Sequence, residues 1–253
     1  MKFFEAKNLR VVTREGKEIL SGVDFSLASN ETAVLLGPNG AGKSTVAAAI
    51  MGDPRFSVSG TVKFLGKDLL KMPVDKRAGL GIFMSFQNPV EVPGITTTEM
   101  IRSVLEEKKG GFVPIDEVRE GITASAKKIG TNIWFSEREL NVGFSGGEKK
   151  KNEIMQMLSL KPKMVILDEI DSGLDVDASA KISKVLAEYQ KKTGCTYLII
   201  THNMRVLANL KPSKVILMDK GQTRAVSDEK MLKRVEREGF KAVLDELDKE
   251  GER

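Results

Sequence analysis

Apolar residues near the start of the chain either alternate with polar ones or form short runs between turn residues. This pattern predicts β-strands over residues 3–12, 19–27 and 32–36. A short strand over residues 60–67 and a buried strand over residues 82–85 are expected to follow. The first quarter of the chain is therefore predicted to be mainly β.

The pattern becomes helical from residue 96 to about residue 160, where apolar residues recur at spacings of three and four between charged ones. Continuous apolar runs then appear at residues 164–168, 197–201 and 214–218, with a helical segment over residues 176–191. Such runs, alternating with helices, are typical of a parallel sheet that is covered on both faces. We interpret the segment that begins at residue 96 as a helical insertion.

The last 26 residues, 228–253, also have a helical pattern. Their apolar stripe is expected to dock on the core, and a partner site is the alternative. The stripe consists of Leu232, Val235, Phe240, Val243, Leu244 and Leu247.

A glycine-rich loop lies between the strand at 32–36 and a helix of small residues, which is the setting of a phosphate-binding P-loop. Glycines let the backbone N–H groups turn around phosphates, and the helix N-terminus adds about half a unit of positive charge. Lys43 can reach the β and γ phosphates, and the Ser44 hydroxyl can bind Mg²⁺. A chance glycine-rich turn is the alternative. The candidate nucleotide-binding residues are Gly37, Pro38, Asn39, Gly40, Ala41, Gly42, Lys43, Ser44 and Thr45.

Two carboxylates, Asp168 and Glu169, end the apolar run at 164–168. Ligands bind at strand ends of this kind. Asp168 is expected to help to hold Mg²⁺, and Glu169 is suited to act as the general base that polarises an attacking water. Taken alone, the two residues are also compatible with an ordinary acidic turn.

A third candidate begins at Ser145, which opens a helical stretch and is followed by Gly146, Gly147 and Glu148. A serine at a helix start with two glycines behind it can form a second anion site from backbone N–H groups. The alternative is a plain N-cap with a flexible turn.

Composition narrows the function classes. The chain has 253 residues, enough for one or two domains. Its net charge of +5 and its low aromatic content of 6% favour a solvated surface over a nucleic-acid interface. Cys195 is the single cysteine, which excludes an internal disulfide and a multi-thiolate metal site, and we expect a buried, inert thiol. With no signal pattern and no apolar run of membrane-spanning length, the sequence predicts a cytoplasmic protein that does not insert into a membrane.

In this order along the chain, the motifs resemble those of the ATP-binding-cassette ATPases. They are a Walker A motif at 37–44, a glutamine loop at Gln87, a signature at 145–148, a Walker B motif ending in Asp168 and Glu169, the segment 172–175 and a switch histidine, His202. The resemblance implies an α/β P-loop NTPase fold with a mixed sheet core, an antiparallel β subdomain and a helical insertion. One cassette domain would span 1–253, with residues 1–95 and 161–253 as catalytic core and 96–160 as helical subdomain.

The same resemblance implies that the chain hydrolyses MgATP as a transient, ATP-dependent homodimer. The P-loop of one subunit would hold ATP, and Ser145, Gly146 and Gly147 of the other would cap it, while Asp175 reaches across the interface. His202 would contact the γ-phosphate, and Gln87 would sense Mg²⁺ and the attacking water. Many relatives carry an aromatic residue near position 14 to stack on adenine, whereas this chain has Arg14 there.

Residues 87–94, 148–154 and 168–175 are most similar to the soluble ATPases of the Suf iron–sulfur cluster assembly machinery, which implies SufB and SufD as partners. Within 148–154, the lysines Lys149, Lys150 and Lys151 either form a solvated helix face or include one that pairs with Glu169 in the lone subunit and restrains it.

Three other readings stay open at this point. The first is an ATPase bound to a membrane permease. The second is a DNA-associated head domain, which is disfavoured because only 57 residues separate Gln87 from Ser145, without sustained heptads. The third is a nucleotide-binding regulator without turnover, against which the presence of Glu169 and His202 argues.

Overall fold

The computed structural model describes residues 2–201 and 204–251. Its strands are β1 Phe4–Thr13, β2 Glu18–Leu27, β3 Thr32–Leu36, β4 Phe56–Phe64, β5 Lys67–Asp68, β6 Ile82–Ser85, β7 Val92–Thr96, β8 Glu139–Leu140, β9 Met164–Asp168, β10 Thr196–Ile200, β11 Lys214–Asp219 and β12 Gln222–Ser227. Its α-helices are α1 Lys43–Met51, α2 Val74–Gly79, α3 Thr97–Lys109, α4 Ile115–Ile129, α5 Gly146–Leu160, α6 Val176–Thr193 and α7 Glu229–Gly251. Short 3₁₀ turns lie at Leu69–Lys71, Ile133–Ser136 and Met204–Leu207.

The chain divides into two compact units. The first unit comprises the described parts of 1–77, 196–202 and 211–253. Its strands follow one another in the order β5, β4, β1, β2, β12, β11, β3, β10. β1 pairs antiparallel with β2 and β4, whereas β3 pairs parallel with both β10 and β11. This unit therefore joins an antiparallel part to a parallel part.

The parallel part of the first unit is centred on β3, all five residues of which are buried. In register, Val34 lies opposite Ile199 of β10 and Val215 of β11. A strand that is paired on both edges and covered on both faces has no solvent side, which explains the continuous apolar run. The carboxyl end of β3 leads directly into the glycine-rich loop at 37–44.

The C-terminus of α1 is held by a buried arginine. Arg77 is 6% exposed, and its guanidinium donates hydrogen bonds to the carbonyl oxygens of Ala49 (3.0 Å), Ile50 (2.8 Å) and Met72 (3.0 Å). α1 has no basic residue of its own in its last turn. Because the last carbonyls of a helix have no partner within the helix, Arg77 supplies the donors and the positive charge that this end requires.

Replacing Arg77 with alanine is therefore expected to lower the free energy of unfolding by about 3 kcal/mol, since buried carbonyls lose charged donors. Urea unfolding followed by circular dichroism measures the change. Arg55→Ala is the matched control, because the Arg55 side chain is 76% exposed and its contacts, an ion pair with Asp53 and the face of the Phe56 ring, lie at the surface. Equal losses in the two variants would contradict the role given to Arg77.

The second unit comprises 78–195 and the described part of 203–210. β6 and β9 pair parallel, with Ser85 opposite Leu167, and β7 pairs antiparallel with β8. Helices α3, α4 and α5 pack on one another, and α6 packs on the 3₁₀ turn at Met204–Leu207. α3 begins with a capping box in which Thr96 and Glu99 satisfy each other's backbone N–H groups.

Most of the predicted strands and helices are confirmed, and the differences are local. β4 begins at Phe56 rather than residue 60, and neither α2 nor β12 was predicted. Val92–Thr96 was not predicted as a strand, and it forms β7 because Glu139–Leu140 pairs with it. In α7, Leu232, Val235 and Val243 are buried as predicted, whereas Phe240, Leu244 and Leu247 are half-buried.

Cys195 is 1% exposed, and burial raises the pKa of its thiol to about 12, which confirms the predicted buried thiol. Within residues 2–201 and 204–251, no helix has both the length and the apolar character needed to cross a bilayer.

Candidate nucleotide site

Close packing explains why two glycines of the P-loop candidate cannot carry side chains. A Cβ on Gly37 would lie 2.3 Å from the Met218 carbonyl oxygen of β11, and a Cβ on Gly42 would lie 2.4 Å from Leu20 Cδ2. Gly42 is also the N-cap of α1, with φ 94°, a left-handed conformation that favours glycine. These contacts bring the backbone of the loop close to the sheet at the carboxyl end of β3.

Lys43 is buried in the same loop, with 7% exposure. Its ammonium donates hydrogen bonds to the carbonyl oxygens of Gly37 (2.8 Å) and Pro38 (3.1 Å). A buried ammonium is stable only with such partners. The loop thus holds a positive charge beside the N-terminus of α1.

No side chain caps the N-terminus of α1. The first N–H groups of a helix need an acceptor, and the helix dipole favours a negative one. Ser44, the second residue of α1, is exposed at this end. Uncapped backbone donors, a buried lysine and an accessible hydroxyl fit the phosphates of a nucleotide together with its metal ion.

Arg14, the residue at the position where relatives stack on adenine, is exposed and turned toward the backbone. Its Nε and one terminal nitrogen donate to the Pro54 carbonyl oxygen at 3.3 and 3.1 Å. These bonds hold the guanidinium beside β4, and its part in base recognition stays a prediction.

In the second unit, the carboxyl end of β9 carries the two predicted acidic residues. Asp168 is 2% exposed, and Glu169 follows with φ 49°. A left-handed conformation at a residue other than glycine costs about 1 kcal/mol, and such positions concentrate at functional sites. The turn places the Glu169 carboxylate within hydrogen-bond reach of Gln87.

The Gln87 Nε2 amide donates to Glu169 Oε2 at 2.8 Å. The structure therefore brings together the predicted nucleotide sensor and the predicted general base. The two residues are 82 positions apart in the sequence and meet because β6 and β9 are parallel neighbours that end at the same edge.

Ser145 is the N-cap of α5, and a carboxylate closes this helix end. Both the backbone N–H and the hydroxyl of Ser145 donate to Glu148 Oε2, at 2.7 and 2.8 Å. These hydrogen bonds lower the pKa of Glu148, so this carboxylate is ionised at neutral pH. The α5 terminus thus already contains a negative group, in contrast to the uncapped α1.

The segment 172–175 lies beside the signature. A Cβ on Gly147 would lie 3.4 Å from the Gly173 carbonyl oxygen, whereas one on Gly146 would meet no atom within 4 Å. Asp175 is exposed, and its Oδ1 accepts a hydrogen bond from the Ala178 N–H at 2.7 Å, which caps α6. Asp175 therefore has a local capping role in the single chain. The predicted switch residue His202 lies outside the described residues.

The lysine run makes specific contacts with residues on both sides of Gln87 in the chain. Lys149 Nζ lies 2.7 Å from Glu91 Oε1, and Lys150 donates to the Phe86 carbonyl oxygen. Burial lowers the pKa of Lys150, while the negative charges of Glu153, Asp168 and Glu169 oppose that shift. The restraint of Glu169 by one of the lysines stays a prediction.

Sequence reasoning missed Glu153, a buried member of α5 that binds Ser85 and the Phe86 N–H. A signal was present in the sequence: Lys150 and Glu153 are three residues apart, and Glu153 precedes Met157 by one helical turn. A charged pair on an apolar helix face indicates a buried polar contact. Its partner, 68 positions away from Glu153, could not be identified from this spacing.

Comparison with known proteins places these features in context. Residues 20–172 match the family model described as ABC transporter. The chain is 43% identical, over 98% of its length and 97% of the relative, to a probable ABC transporter ATP-binding protein of Streptococcus pyogenes serotype M18. It is 38% identical, over 96% of its length and 71% of the relative, to the iron–sulfur cluster assembly protein SufC of Plasmodium falciparum.

Two solved structures have a similar fold. A dimeric ATP-binding cassette with bound ADP and phosphate, in a post-hydrolysis state, superposes with a TM-score of 0.77 at 22% identity, covering 89% of this chain and 98% of the other. A nucleotide-free cassette from an ABC transporter has a TM-score of 0.73 at 25% identity and covers 94% and 96% of the two chains. The predicted α/β cassette fold is confirmed.

Proposed function

Because the chain belongs to the ABC transporter family of ATP-binding-cassette ATPases, we propose that it is the ATPase subunit of a Suf-type iron–sulfur cluster assembly complex. Proteins of this family bind and hydrolyse ATP, generally with Mg²⁺, and this chain is an ATPase. The proposal concerns the partner that this ATPase drives. SufB- and SufD-type scaffold proteins are the proposed partners, and the proposal includes a cytoplasmic location.

One structural observation carries the proposal beyond the family. The two segments that resemble Suf ATPases, 87–94 and 148–154, contact each other through the Lys149–Glu91 ion pair at 2.7 Å. The Lys150 hydrogen bond to the Phe86 carbonyl oxygen lies beside that pair. The lysine run thus has a structural partner in the loop that follows the glutamine, which a merely solvated helix face would not need. The 38% identity to SufC supports the same assignment.

The proposed roles at the nucleotide rest on the family resemblance, and the contacts of Lys43 and of the Gln87–Glu169 pair support them. Lys43 and the backbone of 37–45 would bind the phosphates, and Glu169 would act as general base with Gln87 and His202 beside the reacting γ-phosphate. Ser44, Gln87 and Asp168 would hold Mg²⁺. When bound, Mg²⁺ neutralises phosphate charge during hydrolysis.

ATP-binding cassettes dimerise in an ATP-dependent manner. We propose that Ser145, Gly146, Gly147 and Asp175 of one subunit cap the ATP held by another. Residues 96–160, the proposed helical subdomain, would carry this signature and transmit closure to the scaffold proteins. Because Glu148 accepts both hydrogen bonds from Ser145, the capping box must open before Ser145 can bind a phosphate.

Affinity purification of the tagged chain from its native cells, with mass spectrometry of the detergent-solubilised eluate, tests the partner. SufB- and SufD-type proteins are expected to co-purify. A membrane permease in their place would contradict the proposal and support the alternative, an ABC transporter subunit, which the 43%-identical relative favours.

A pair of exposed valines makes this test sharper. Val90→Asp, at a residue 65% exposed after Gln87, is expected to reduce recovery of the partners at least tenfold, because a desolvated charge weakens an apolar contact. Val226→Asp, at a residue 49% exposed on β12, is the control and should retain them. ATP affinity should stay unchanged in both variants, and equal recovery of partners would contradict a partner contact at Val90.

A further inference from the structure

The Glu153 carboxylate is buried on α5, with 4% of the residue exposed. Its Oε2 accepts a hydrogen bond from Ser85 Oγ at 2.7 Å, and its Oε1 accepts one from the Phe86 N–H at 2.8 Å. Burying a carboxylate is costly unless it is paired and hydrogen-bonded. Both oxygens of Glu153 meet that condition with two consecutive residues at the end of β6.

Lys150 completes the arrangement. It is 2% exposed, its ammonium lies 3.7 Å from Glu153 Oε2, and it donates a hydrogen bond to the Phe86 carbonyl oxygen. The two backbone polar groups of Phe86 are therefore both held by one helix, the N–H by Glu153 and the carbonyl by Lys150. We name these contacts of Lys150 and Glu153 with Ser85 and Phe86 the α5 clamp.

The α5 clamp lies directly before Gln87 in the chain. The peptide bond whose carbonyl Lys150 holds is the one that links Phe86 to Gln87. Gln87 in turn donates to Glu169 Oε2 at 2.8 Å. Contacts with α5 thus fix the backbone position from which the Gln87 side chain extends. α5 is the helix whose N-cap is the signature residue Ser145.

We propose that Glu153 is a positioning residue for ATP hydrolysis, which holds Phe86 on α5 and thereby sets where the Gln87 amide meets the Glu169 carboxylate. This inference rests on the proposed roles of Gln87 and Glu169. It assigns to the α5 clamp a coupling role: a displacement of α5 at Ser145 is transmitted to Gln87 through Glu153.

A purely structural role explains these contacts less well. Buried ion pairs contribute little net stability, and apolar residues of similar volume often replace them without loss. If Lys150 and Glu153 only filled space in the core, they would not need hydrogen bonds to the Ser85 hydroxyl and to both backbone polar groups of Phe86. The geometry points to control of the backbone position next to Gln87.

Four variants of the full chain test the proposal, with kcat, the KM for ATP and hydrogen exchange of the peptide spanning 82–90 as readouts. Glu153→Ala is expected to lower kcat about tenfold or more, because a displacement of about 1 Å near reacting groups is costly. KM should change less than about twofold, and the Phe86 amide should exchange faster. The Glu153→Gln variant should keep kcat within about threefold of that of the original chain, because the glutamine amide oxygen can still accept a hydrogen bond from the Phe86 N–H.

Ser85→Ala removes one contact of Glu153 and leaves the carboxylate in place. It is expected to lower kcat about threefold with unchanged KM, and it decides the question if Glu153→Ala does not fold. Ser159→Ala is the matched control, because the Ser159 hydroxyl is also buried on α5 but bonds Ser125 and the Met155 carbonyl oxygen instead. Its kcat should stay unchanged.

Three results would overturn the inference: unchanged kcat in a folded Glu153→Ala variant, unchanged kcat in Ser85→Ala, or a loss of kcat/KM that comes entirely from a rise in KM. A change in melting temperature alone would assign Glu153 a structural role. Glu169→Gln, measured in parallel, separates the two proposals. If it retains turnover, the proposed base is wrong; if it loses turnover while Glu153→Ala does not, only the positioning role fails.

Discussion

Replacing Glu169 with glutamine is expected to reduce ATP turnover by about a thousandfold, the typical contribution of a positioned general base. The substitution removes the charge but keeps the shape, and the new amide oxygen can still accept the hydrogen bond that Gln87 donates to Glu169 Oε2. The loss would therefore report proton abstraction rather than a rearranged loop. Phosphate release at saturating MgATP measures it.

The same variant is expected to accumulate as an ATP-bound dimer, because ATP draws two copies together and hydrolysis no longer separates them. Size-exclusion chromatography with light scattering should give twice the mass of one chain in MgATP and the mass of one chain without nucleotide. Glu188→Gln, an exposed carboxylate on α6 of the same unit, is the control and should neither slow turnover nor dimerise persistently. Normal hydrolysis by Glu169→Gln would show that the base assignment is wrong.

Replacing Lys43 with methionine is expected to weaken ATP binding about a hundredfold. Methionine keeps most of the aliphatic stem and removes the ammonium, which donates to the Gly37 and Pro38 carbonyl oxygens at 2.8 and 3.1 Å. Charged hydrogen bonds contribute about 1.5 to 3 kcal/mol each, and about 1.4 kcal/mol corresponds to a tenfold change in affinity. Isothermal titration with MgATP measures the dissociation constant.

Lys63→Met is the matched control for Lys43→Met, because Lys63 is exposed on β4 of the same unit. Its affinity for ATP should stay within about twofold of the original chain. Similar losses in the two variants would mean that overall positive charge, and not the P-loop amine, governs binding. Glu169→Gln should still bind ATP tightly, so the two largest predicted effects separate binding from chemistry.

Local sequence patterns predicted β6 and β9 with their observed bounds, because short apolar runs are typical of strands in a parallel sheet. All five residues of β9 are buried, whereas Phe83 and Met84 of β6 are half-buried. β7 was missed for the opposite reason. Pro93 and Gly94 are typical of turns, and only pairing with β8, more than 40 residues away, makes this segment a strand.

In the candidate site, too, some features were predicted from the sequence and others were not. The glycine-rich loop was readable because consecutive residues make most of a P-loop, and the packing of Gly37 and Gly42 agrees with that reading. Ser145 was recognised as a helix start, whereas the closure of that helix end by the Glu148 carboxylate was not predicted. The Ser-x-x-Glu spacing of residues 145–148 is typical of a capping box, so this contact could have been predicted from the sequence.

The amino-acid sequence by itself determined most of the strands and helices, the P-loop, the acidic end of β9 and membership of the cassette family, because short stretches of neighbouring residues encode each of them. Tertiary structure alone decided that Gln87 meets Glu169, 82 positions away, and that Glu153 binds Ser85, 68 positions away. The physical reason is that these contacts depend on which strands and helices become neighbours. That choice is made by the packing of the whole unit and leaves no local pattern in the chain.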